Sequence, residues 1–204
     1  MTNWRRPPAN RAYRSWRRPN AVTSSAGTAD RRLTTVRLLL RPPLASDADV
    51  ILRLHQDPQA IAHNPSDRLD NRAEARELLD RWIEHWRRHA IGYWVVCWRD
   101  DPGILGVCGV KVMTLHTRPV SNLFYRFAPQ HWGRGVASEA ATAVVERARS
   151  DSGRPVIARV RPDNTASARV AVKAGLRRAA HLDTVGEDGT DHIYVSPEWS
   201  HQDL

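Results

Sequence analysis

A short stretch with two glycines carries the clearest chemical signal in this 204-residue chain. Residues 132–137 read WGRGVA and lie between a strand-like run and an Ala-rich amphipathic segment. Gly133 and Gly135 remove side chains from such a turn, so that backbone N–H groups can converge on an anion at the helix N-terminus. The third glycine of a dinucleotide fingerprint and the Lys-Ser/Thr pair of a P-loop do not follow. The stretch therefore predicts a pyrophosphate site of another kind.

The other residues with reactive or metal-binding side chains fit structural roles better. Cys97 and Cys108 each lie in a strand-like apolar run, where a free thiol usually serves as a small core residue. His85 and His89 have the i, i+4 spacing of a metal-binding pair. However, the general-base Glu of an H-E-x-x-H site is missing, and the arginines at positions 87 and 88 disfavour a cation. We therefore expect no metal site.

The N-terminal half predicts one strand and two helices ahead of the glycines. Residues 35–40 are rich in Leu and β-branched residues and predict a strand. Ser46 and Asp49 have the spacing of a capping box and predict the start of a short helix. Asn71 and Glu74 repeat that signal before an apolar stripe at helical spacing. The stripe consists of Ala75, Leu78, Leu79, Trp82, Ile83 and Trp86.

The middle of the chain predicts strands that lead into the glycine turn. Residues 93–98 and 104–112 are rich in β-formers and flank a turn-like loop, so we expect them to pair as a hairpin. A loop over residues 115–120 follows, and residues 123–127 predict the next strand. From Ala137 onward, small apolar residues at helical spacing predict a helix that lies close against a sheet.

The C-terminal part continues the alternation of strands and helices. Residues 156–160 predict a strand, and residues 164–173 predict a short helix that Gly175 ends. Residues 178–184 and 191–195 flank a turn-like GEDG segment and predict a final hairpin. The order of elements predicts a mixed α/β (α+β) fold with one central sheet.

The positive charge of the chain is concentrated at its N-terminus. Residues 1–32 hold eight arginines and one aspartate, whereas residues 33–204 hold 23 basic and 21 acidic side chains. We expect a disordered basic tail over 1–32 and a single domain over 33–204. The tail either contacts RNA or a ribosome or is an idle solvated extension. No apolar stretch reaches the length of a membrane span and no secretory signal is recognisable, so we expect a cytoplasmic protein without a membrane partner.

Two segments resemble one enzyme family. Residues 129–140 read PQHWGRGVASEA and resemble motif A of the GCN5-related N-acetyltransferases (GNAT). Their form is similar to the Rim-type (RimJ/RimL-like) branch, which contains ribosomal-protein N-terminal acetyltransferases. Residues 164–176 read NTASARVAVKAGL and resemble the N-x-x-S-x-x-[VL]-x-x-K-x-G-F segment of the same branch. With an opening strand that also fits, the resemblance covers about residues 33–196.

The resemblance implies a GNAT fold, in which a mostly antiparallel sheet is flanked by helices, with acetyl-CoA as co-substrate and a primary amine as acceptor. It also implies that the pantetheine arm pairs with the backbone of the strand containing Tyr125 and Phe127, where Asn164 hydrogen-bonds it. Ser167 would lie near the thioester sulfur and protonate the leaving thiolate. The amides implied to hold the pyrophosphate belong to Gly133, Arg134, Gly135, Val136, Ala137 and Ser138.

One position departs from the family pattern. Family members often carry A-E-I-G-Y before motif A, where residues 121–125 of this chain read SNLFY. Asn122 therefore replaces a carboxylate, and an amide cannot act as a general base. Four alternatives stay open: Asn122 positions a water, another residue is the base, the acceptor amine has a low pKa, or catalysis is lost and cofactor binding is kept. We expect Glu139 to support the first helical turn instead of acting as the base.

The acceptor is not readable from the sequence. If the chain is an enzyme, its acceptor is either a protein N-terminal amine or a small-molecule or antibiotic amine. The third hypothesis is a non-catalytic acyl-CoA-binding module. An acidic cleft would suit polyamines, whereas a narrow groove with backbone partners would suit peptides. The sequence leaves open whether the chain forms a homodimer.

Overall fold

The computed structural model describes residues 31–199 of the chain as four α-helices and nine strands. The helices are α1 (Ala48–Gln56), α2 (Arg72–His89), α3 (Val136–Ser152) and α4 (Thr165–Lys173). The strands are β1 (Leu33–Thr34), β2 (Leu38–Arg41), β3 (Tyr93–Trp98), β4 (Ile104–Leu115), β5 (Arg118–Phe127), β6 (Val156–Val160), β7 (Arg177–Arg178), β8 (Thr184–Gly186) and β9 (Gly189–Val195). The predicted tail lies outside the described residues except for residues 31 and 32.

The strands form one mixed sheet with the order β1-β2-β3-β4-β5-β6-β9-β7, and β8 pairs with β9 at the end. Only β5 and β6 run parallel among the described pairs. Helix α3 packs on one face through Ala140 and Val144, whereas α1 and α2 pack on the other face through Ile51 and Leu79. The expected α/β fold with a mostly antiparallel central sheet is confirmed. None of the helices within residues 31–199 is long and apolar enough to cross a membrane.

The sheet opens between its two parallel strands. The pairing of β5 with β6 is limited to three positions, from Ser121 opposite Val156 to Leu123 opposite Ala158. Beyond these positions β5 continues along β4, and β6 continues along β9. The carboxyl ends of the two strands therefore separate and leave a gap in the sheet.

Strand β4 lies unusually close to the end of β5. Gly106 is opposite Phe127 in the β4–β5 pair. A Cβ atom placed at Gly106 would lie 2.7 Å from Phe127 Cα and would also collide with the main-chain oxygen of Arg126. Only glycine permits this approach, which fixes the direction in which β5 leaves the sheet.

Helix α2 forms as its apolar stripe predicts, and its predicted N-cap is confirmed. Asn71 Oδ1 accepts hydrogen bonds from the amides of Ala73 (2.9 Å) and Glu74 (3.1 Å). Leu79 and Trp82 from the stripe are buried against the sheet. Both ring nitrogens of His85 bond to main chain, with Nδ1 2.9 Å from Ile91 O and Nε2 3.0 Å from Val112 N. His85 is therefore a structural link between α2 and β4.

The capping box predicted for the first helix is wrong. Helix α1 begins at Ala48, and neither Ser46 nor Asp49 caps it. Asp47 is the structural residue there: its carboxylate pairs with Arg41 at 2.7 and 2.8 Å and accepts a hydrogen bond from Leu44 N at 2.7 Å. The ion pair with the preceding strand and the local hydrogen bond from Leu44 N to Asp47 therefore fix this entry together.

The loop predicted over residues 115–120 is also wrong. Strands β4 and β5 form a long hairpin with a two-residue connection after Leu115, where His116 adopts a left-handed φ of 51°. Pro119 lies within β5, opposite Thr114. A proline is tolerated there because pairing with β6 begins only at Ser121, so the missing N–H faces an open strand edge.

The final hairpin is confirmed, but its predicted first strand over residues 178–184 is only partly correct. The chain forms the two-residue β7, a turn over Ala180–Leu182, and then β8. The carboxylate of Asp183 accepts hydrogen bonds from Ile193 N at 3.0 Å and from Arg178 Nη1 at 2.7 Å. This side chain takes the place of a main-chain strand partner, so the strand is interrupted. Gly186 and Gly189 close the hairpin as expected.

Candidate active site

A cavity of about 620 Å³ occupies the gap between β5 and β6. It is lined by the separating ends of both strands, the glycine turn before α3, the first turns of α4 and the loop over residues 59–64. The sheet opening and the two sequence motifs therefore meet in one place. We call the side formed by β5, the glycine turn and α4 the cofactor wall, after the role that the sequence resemblance implies for it.

The glycine turn, residues 132–138, has the backbone conformation that its two glycines suggest. Gly133 and Gly135 have φ values of 72° and 76°, which side-chain-bearing residues rarely adopt. Gly135 is the N-cap of α3, and its carbonyl accepts the hydrogen bond of Glu139 N at 3.0 Å. The amides before Glu139 belong to the first turn, where a helix has no carbonyl one turn earlier. Such amides are suited to an anion.

Most of the residues expected to hold a pyrophosphate line the cavity. These are Gly133, Gly135, Val136, Ala137 and Ser138. Arg134 is the exception, because its side chain is exposed and does not belong to the cavity lining. Its carbonyl accepts a hydrogen bond from Arg37 Nη1 at 3.0 Å, which ties the turn to the chain just before β2.

Glu139 has the supporting role expected of it. Its carboxylate accepts hydrogen bonds from Thr35 Oγ1 (2.6 Å), Arg37 N (2.9 Å) and Arg37 Nε (2.7 Å). Burial alone would raise the pKa of Glu139, but these hydrogen bonds outweigh it and lower the pKa. Glu139 therefore stays ionised and holds the first turn of α3 against residues 35–37.

The second motif places polar groups on the same wall. Asn164 caps α4, since its Oδ1 accepts the amide of Ser167 at 2.9 Å. Tyr125 OH donates to the Ser167 main-chain oxygen at 3.3 Å. Burial raises the pKa of Tyr125 well above its ordinary value, so the phenol stays protonated. All three residues line the cavity, and the Tyr125 hydroxyl joins the end of β5 to the first turn of α4.

The end of β5 offers main-chain groups to the cavity. From Phe124 to Phe127, β5 pairs with β4 on one side and has no strand partner on the β6 side within residues 31–199. Tyr125 and Phe127, expected near the cofactor, both line the cavity. An extended ligand can therefore add along this edge as a strand would.

Asn122 lies one residue before the cavity. Leu123 is the first residue of β5 that belongs to the lining. Asn122 is still within the parallel pair, opposite Ile157, and its buried Oδ1 has no hydrogen-bond partner among the described residues. The structure therefore brings Ser167 to the cavity but leaves Asn122 beside it.

The sequence of the whole domain decides the family. Residues 37–177 match the model of the acetyltransferase (GNAT) domain, which covers more than half of the chain. The chain belongs to the GNAT acetyltransferases. The matched segment includes the glycine turn and the start of α4, and the fold just described is the GNAT fold.

Two bacterial relatives show how far the similarity to this GNAT acetyltransferase extends. The uncharacterized protein YkkB of Bacillus subtilis (strain 168) is 31% identical over 155 residues, which cover 72% of this chain and 86% of YkkB. The uncharacterized N-acetyltransferase YoaA of the same organism is 26% identical and covers 74% of this chain and 85% of YoaA. Together with the family match, they make this chain an N-acetyltransferase of the GNAT type.

One solved structure has the same fold at low identity. RimL, a ribosomal L7/L12 alpha-N-protein acetyltransferase in complex with coenzyme A, is similar to this chain with a TM-score of 0.65 and 16% identity. The match covers 79% of this chain and 94% of RimL. At this identity the likeness shows the fold alone.

The other side of the GNAT cavity contains a buried polar cluster that no sequence motif indicated. Arg126 is 4% exposed, and its Nη2 bonds to Asp67 Oδ2 at 2.7 Å. Its Nη1 lies against the edge of the His55 ring, 2.8 Å from Nδ1 and 3.3 Å from Nε2. His55 Nδ1 is 2.7 Å from Asp67 O, so we assign the proton to Nδ1 and leave Nε2 as the acceptor for Arg126.

The cluster stays in one charge state around neutral pH. Burial and the Arg126 charge lower the pKa of His55 to about 4, so its ring is neutral. Burial also lowers the pKa of Arg126, but the guanidinium group remains ionised beside the Asp67 carboxylate. The only hint of this cluster in the sequence is an arginine within the otherwise apolar run LFYRF of residues 123–127.

Contacts between distant segments close this side of the cavity. We call it the acceptor wall, after the role proposed for it below; it is formed by His55, residues 57–71, Arg126, the end of β6 and the start of β9. Ser66 donates to the Asp188 carboxylate from Oγ (2.6 Å) and from N (3.1 Å), which ties the loop to the final hairpin. Arg159 Nε pairs with Asp191 Oδ2 at 2.9 Å and Arg161 Nη1 with Asp191 Oδ1 at 3.2 Å.

Proposed function

We propose that this N-acetyltransferase uses acetyl-CoA and acetylates a primary amine by direct attack, without a covalent enzyme intermediate. The observation that carries the proposal is the cofactor wall. It joins a turn with helix N-terminal amides, an open strand edge and the Ser167 side chain along one cavity. This order suits a molecule with a diphosphate, an extended arm and a reactive thioester.

The residues of the wall fit acetyl-CoA part by part. The amides of the glycine turn, residues 133–138, would bind the pyrophosphate because they belong to a helix N-terminus. The open edge of β5 at Tyr125 and Phe127 would pair with the amide groups of the pantetheine arm. The Asn164 Oδ1 atom is used by the Ser167 amide, which leaves its NH₂ group as the donor to that arm.

In the proposed mechanism the chain positions two reactants and supplies one proton. The bound acetyl thioester supplies a carbonyl carbon that forms a C–N bond with the amine as its C–S bond breaks. Ser167 donates its hydroxyl proton to the departing sulfur and regains a proton from the attacking nitrogen through solvent. Holding both reactants in line removes the entropic cost of bringing them together in the transition state.

The base in this mechanism is not a carboxylate of the cavity. None of the residues lining the cavity in the described part of the chain is an Asp or Glu. Asn122 enters the proposal as a positioning residue, because an amide takes up no proton and residue 123 is the first of its strand to line the cavity. The acceptor amine therefore gives up its proton to solvent or to His63 or His131, the two histidines of the described lining.

For the acceptor, we propose a protein N-terminal amine of the Rim type, with a small-molecule amine as the rival. The W-G-x-G-x-A-S-E-A form of residues 132–140 and the shared fold with RimL support the Rim-type branch. A polyamine is disfavoured because the described cavity lining has no carboxylate to bind its cationic groups.

Two measurements test the proposal in sequence. Isothermal titration should show binding of acetyl-CoA by the full chain. Thiol release should then follow when peptides with free N-termini are added, and N-terminally blocked copies of the same peptides should release none. Absence of acetyl-CoA binding would overturn the cofactor assignment. Binding with turnover of small amines alone would overturn the peptide assignment.

A further inference from the structure

Three arginines lie on the same face of the sheet at the acceptor end of the cavity. Ser121 and Leu123 are opposite Val156 and Ala158, which face α3. Because side chains alternate along a strand, Arg126 on β5, Arg159 on β6 and Arg161 directly after β6 point to the other face. All three line the cavity, on either side of the gap between the strands.

Each of these arginines is held from behind by a carboxylate that does not line the cavity. Asp67 holds Arg126 at 2.7 Å, and Asp191 holds Arg159 at 2.9 Å and Arg161 at 3.2 Å. Arg161 Nη1 also donates to Gly189 O at 2.6 Å. These contacts fix the planes of the guanidinium groups before any ligand arrives.

The lining of this end of the cavity contains three arginines and, among the described residues, no carboxylate. The carboxylates of Asp67, Asp188 and Asp191 bond to other groups of this region, and His63 of the lining pairs with Asp163. A guanidinium group has five N–H donors, and the bonds to Asp67 and His55 engage only Nη1 and Nη2 of Arg126. A rigid, partly desolvated guanidinium group is suited to bind an oxyanion in a bidentate manner.

We propose that the acceptor peptide carries an oxyanion, a side-chain carboxylate or a phosphate, on its first residue close to the amine, and that Arg126 and Arg159 bind this group. The inference rests on the proposed function, because it names the class of acceptor for the same cavity. Arg126 is the specificity-determining residue for acceptors bound at the end of β5, and Arg159 supplies the second positive charge from across the gap.

Binding to the protein saturated with coenzyme A tests the inference directly. The anionic amines are peptides that begin with phosphoserine or aspartate, and each is compared by isothermal titration at one ionic strength with a copy that begins with serine or asparagine. We expect at least one anionic amine to bind about tenfold or more tightly than its matched partner. Spermidine should bind more weakly than either. Equal affinities within both pairs, or no binding of either anionic amine, would overturn the inference.

Variants connect the preference to the named arginines. Arg126→Lys keeps a charge but loses the planar fork, and Arg159→Gln removes a charge from a side chain that is already one-third exposed. Each should reduce the preference for the anionic amine at least threefold, whereas Arg76→Gln on the exposed side of α2 should leave it unchanged. An unchanged preference in both variants would overturn the assignment.

The affinity for acetyl-CoA is measured first in every variant. This separates the two proposals, because the groups proposed to bind acetyl-CoA belong to Tyr125, Phe127, the glycine turn and α4 and to neither arginine. If the unmodified chain does not bind acetyl-CoA, the proposed function is contradicted. Intact acetyl-CoA binding without an anionic preference contradicts only the inference about the acceptor.

Discussion

The two walls of the cavity are built in different ways. The cofactor wall uses main-chain amides of the glycine turn and the edge of β5, and two continuous motifs supply it. The acceptor wall uses side chains from distant segments: His55, Asp67 and Arg126 are brought together from α1, a loop and β5. A wall made of backbone requires particular residues at short, fixed spacing, whereas a wall made of side chains requires only that distant residues meet.

The largest expected effect concerns the hydroxyl group on the cofactor wall. Ser167→Ala should lower kcat about 100-fold, because general acid catalysis typically contributes at least this much. The affinity for acetyl-CoA should stay the same, since backbone groups provide most of its contacts. Stopped-flow thiol release and isothermal titration measure the two quantities. Thr165→Ala, an exposed hydroxyl on the same helix, is the control. A kcat unchanged from the unmodified chain would show that another group protonates the sulfur.

The next largest effect concerns the acceptor wall, where His55 should make the stability of the fold depend on pH. Because the pKa of His55 is about 4 in the fold and about 6.5 when unfolded, the unfolded chain takes up the proton first as the pH falls. The contribution of His55 to the free energy of unfolding is therefore constant above pH 6.5. It decreases below that pH, by about 2.5 kcal/mol at pH 4.5.

Urea unfolding of the unmodified chain and of His55→Gln at pH 7.5 and 4.5 measures this loss. The variant should lose less stability between the two pH values, and His89→Gln, which alters an exposed ring, should behave like the unmodified chain. Equal losses in all three proteins would show that His55 is not held neutral by the cluster.

A third prediction tests whether the glycine turn acts through its backbone. Gly135→Val forces a β-branched residue into a left-handed conformation, which costs about 1–2 kcal/mol. The affinity for acetyl-CoA should fall about tenfold or more. Gly153→Val is a matched control, since Gly153 has a φ of 60° at the other end of the same helix. It should destabilise the fold similarly without changing affinity. An equal loss of affinity in both would assign the effect to stability alone.

The smallest effect concerns the link between the loop and the final hairpin. Ser66→Ala removes the 2.6 Å hydrogen bond to Asp188, an exposed contact worth about 0.5 kcal/mol. The KM for the acceptor should rise about twofold, with no change in the affinity for acetyl-CoA. Steady-state kinetics with saturating acetyl-CoA measure it, with Ser152→Ala at the end of α3 as the control. A change in acetyl-CoA affinity would contradict the division into two walls.

The sequence predicted those parts of the fold that depend on local patterns. The apolar stripe of α2 and its Asn71 cap are confirmed because both act within one helix. The predicted capping box at the start of α1 was wrong because the residue that fixes this start, Asp47, pairs with Arg41 of the neighbouring strand. The β4–β5 hairpin was missed because His116 adopts a left-handed φ without the usual glycine or asparagine signal.

The same reasoning explains what was readable of the site. Gly133, Gly135, Asn164 and Ser167 were found because each belongs to a motif within a dozen residues, and the structure brings them to one cavity. Their binding and catalytic roles stay predictions. The cluster of Arg126 with His55 and Asp67 was missed because 59 to 71 positions separate Arg126 from its partners. No local spacing rule connects residues so far apart.

Gly106 shows that a residue outside the cavity lining also determines the shape of the site. It does not line the cavity, but it has no room for a methyl group against Arg126 and Phe127. An alanine at this position would displace the last residues of β5, which carry Arg126 and the open edge at Tyr125 and Phe127. A substitution at Gly106 would therefore reshape both walls of the cavity without changing any residue that lines it.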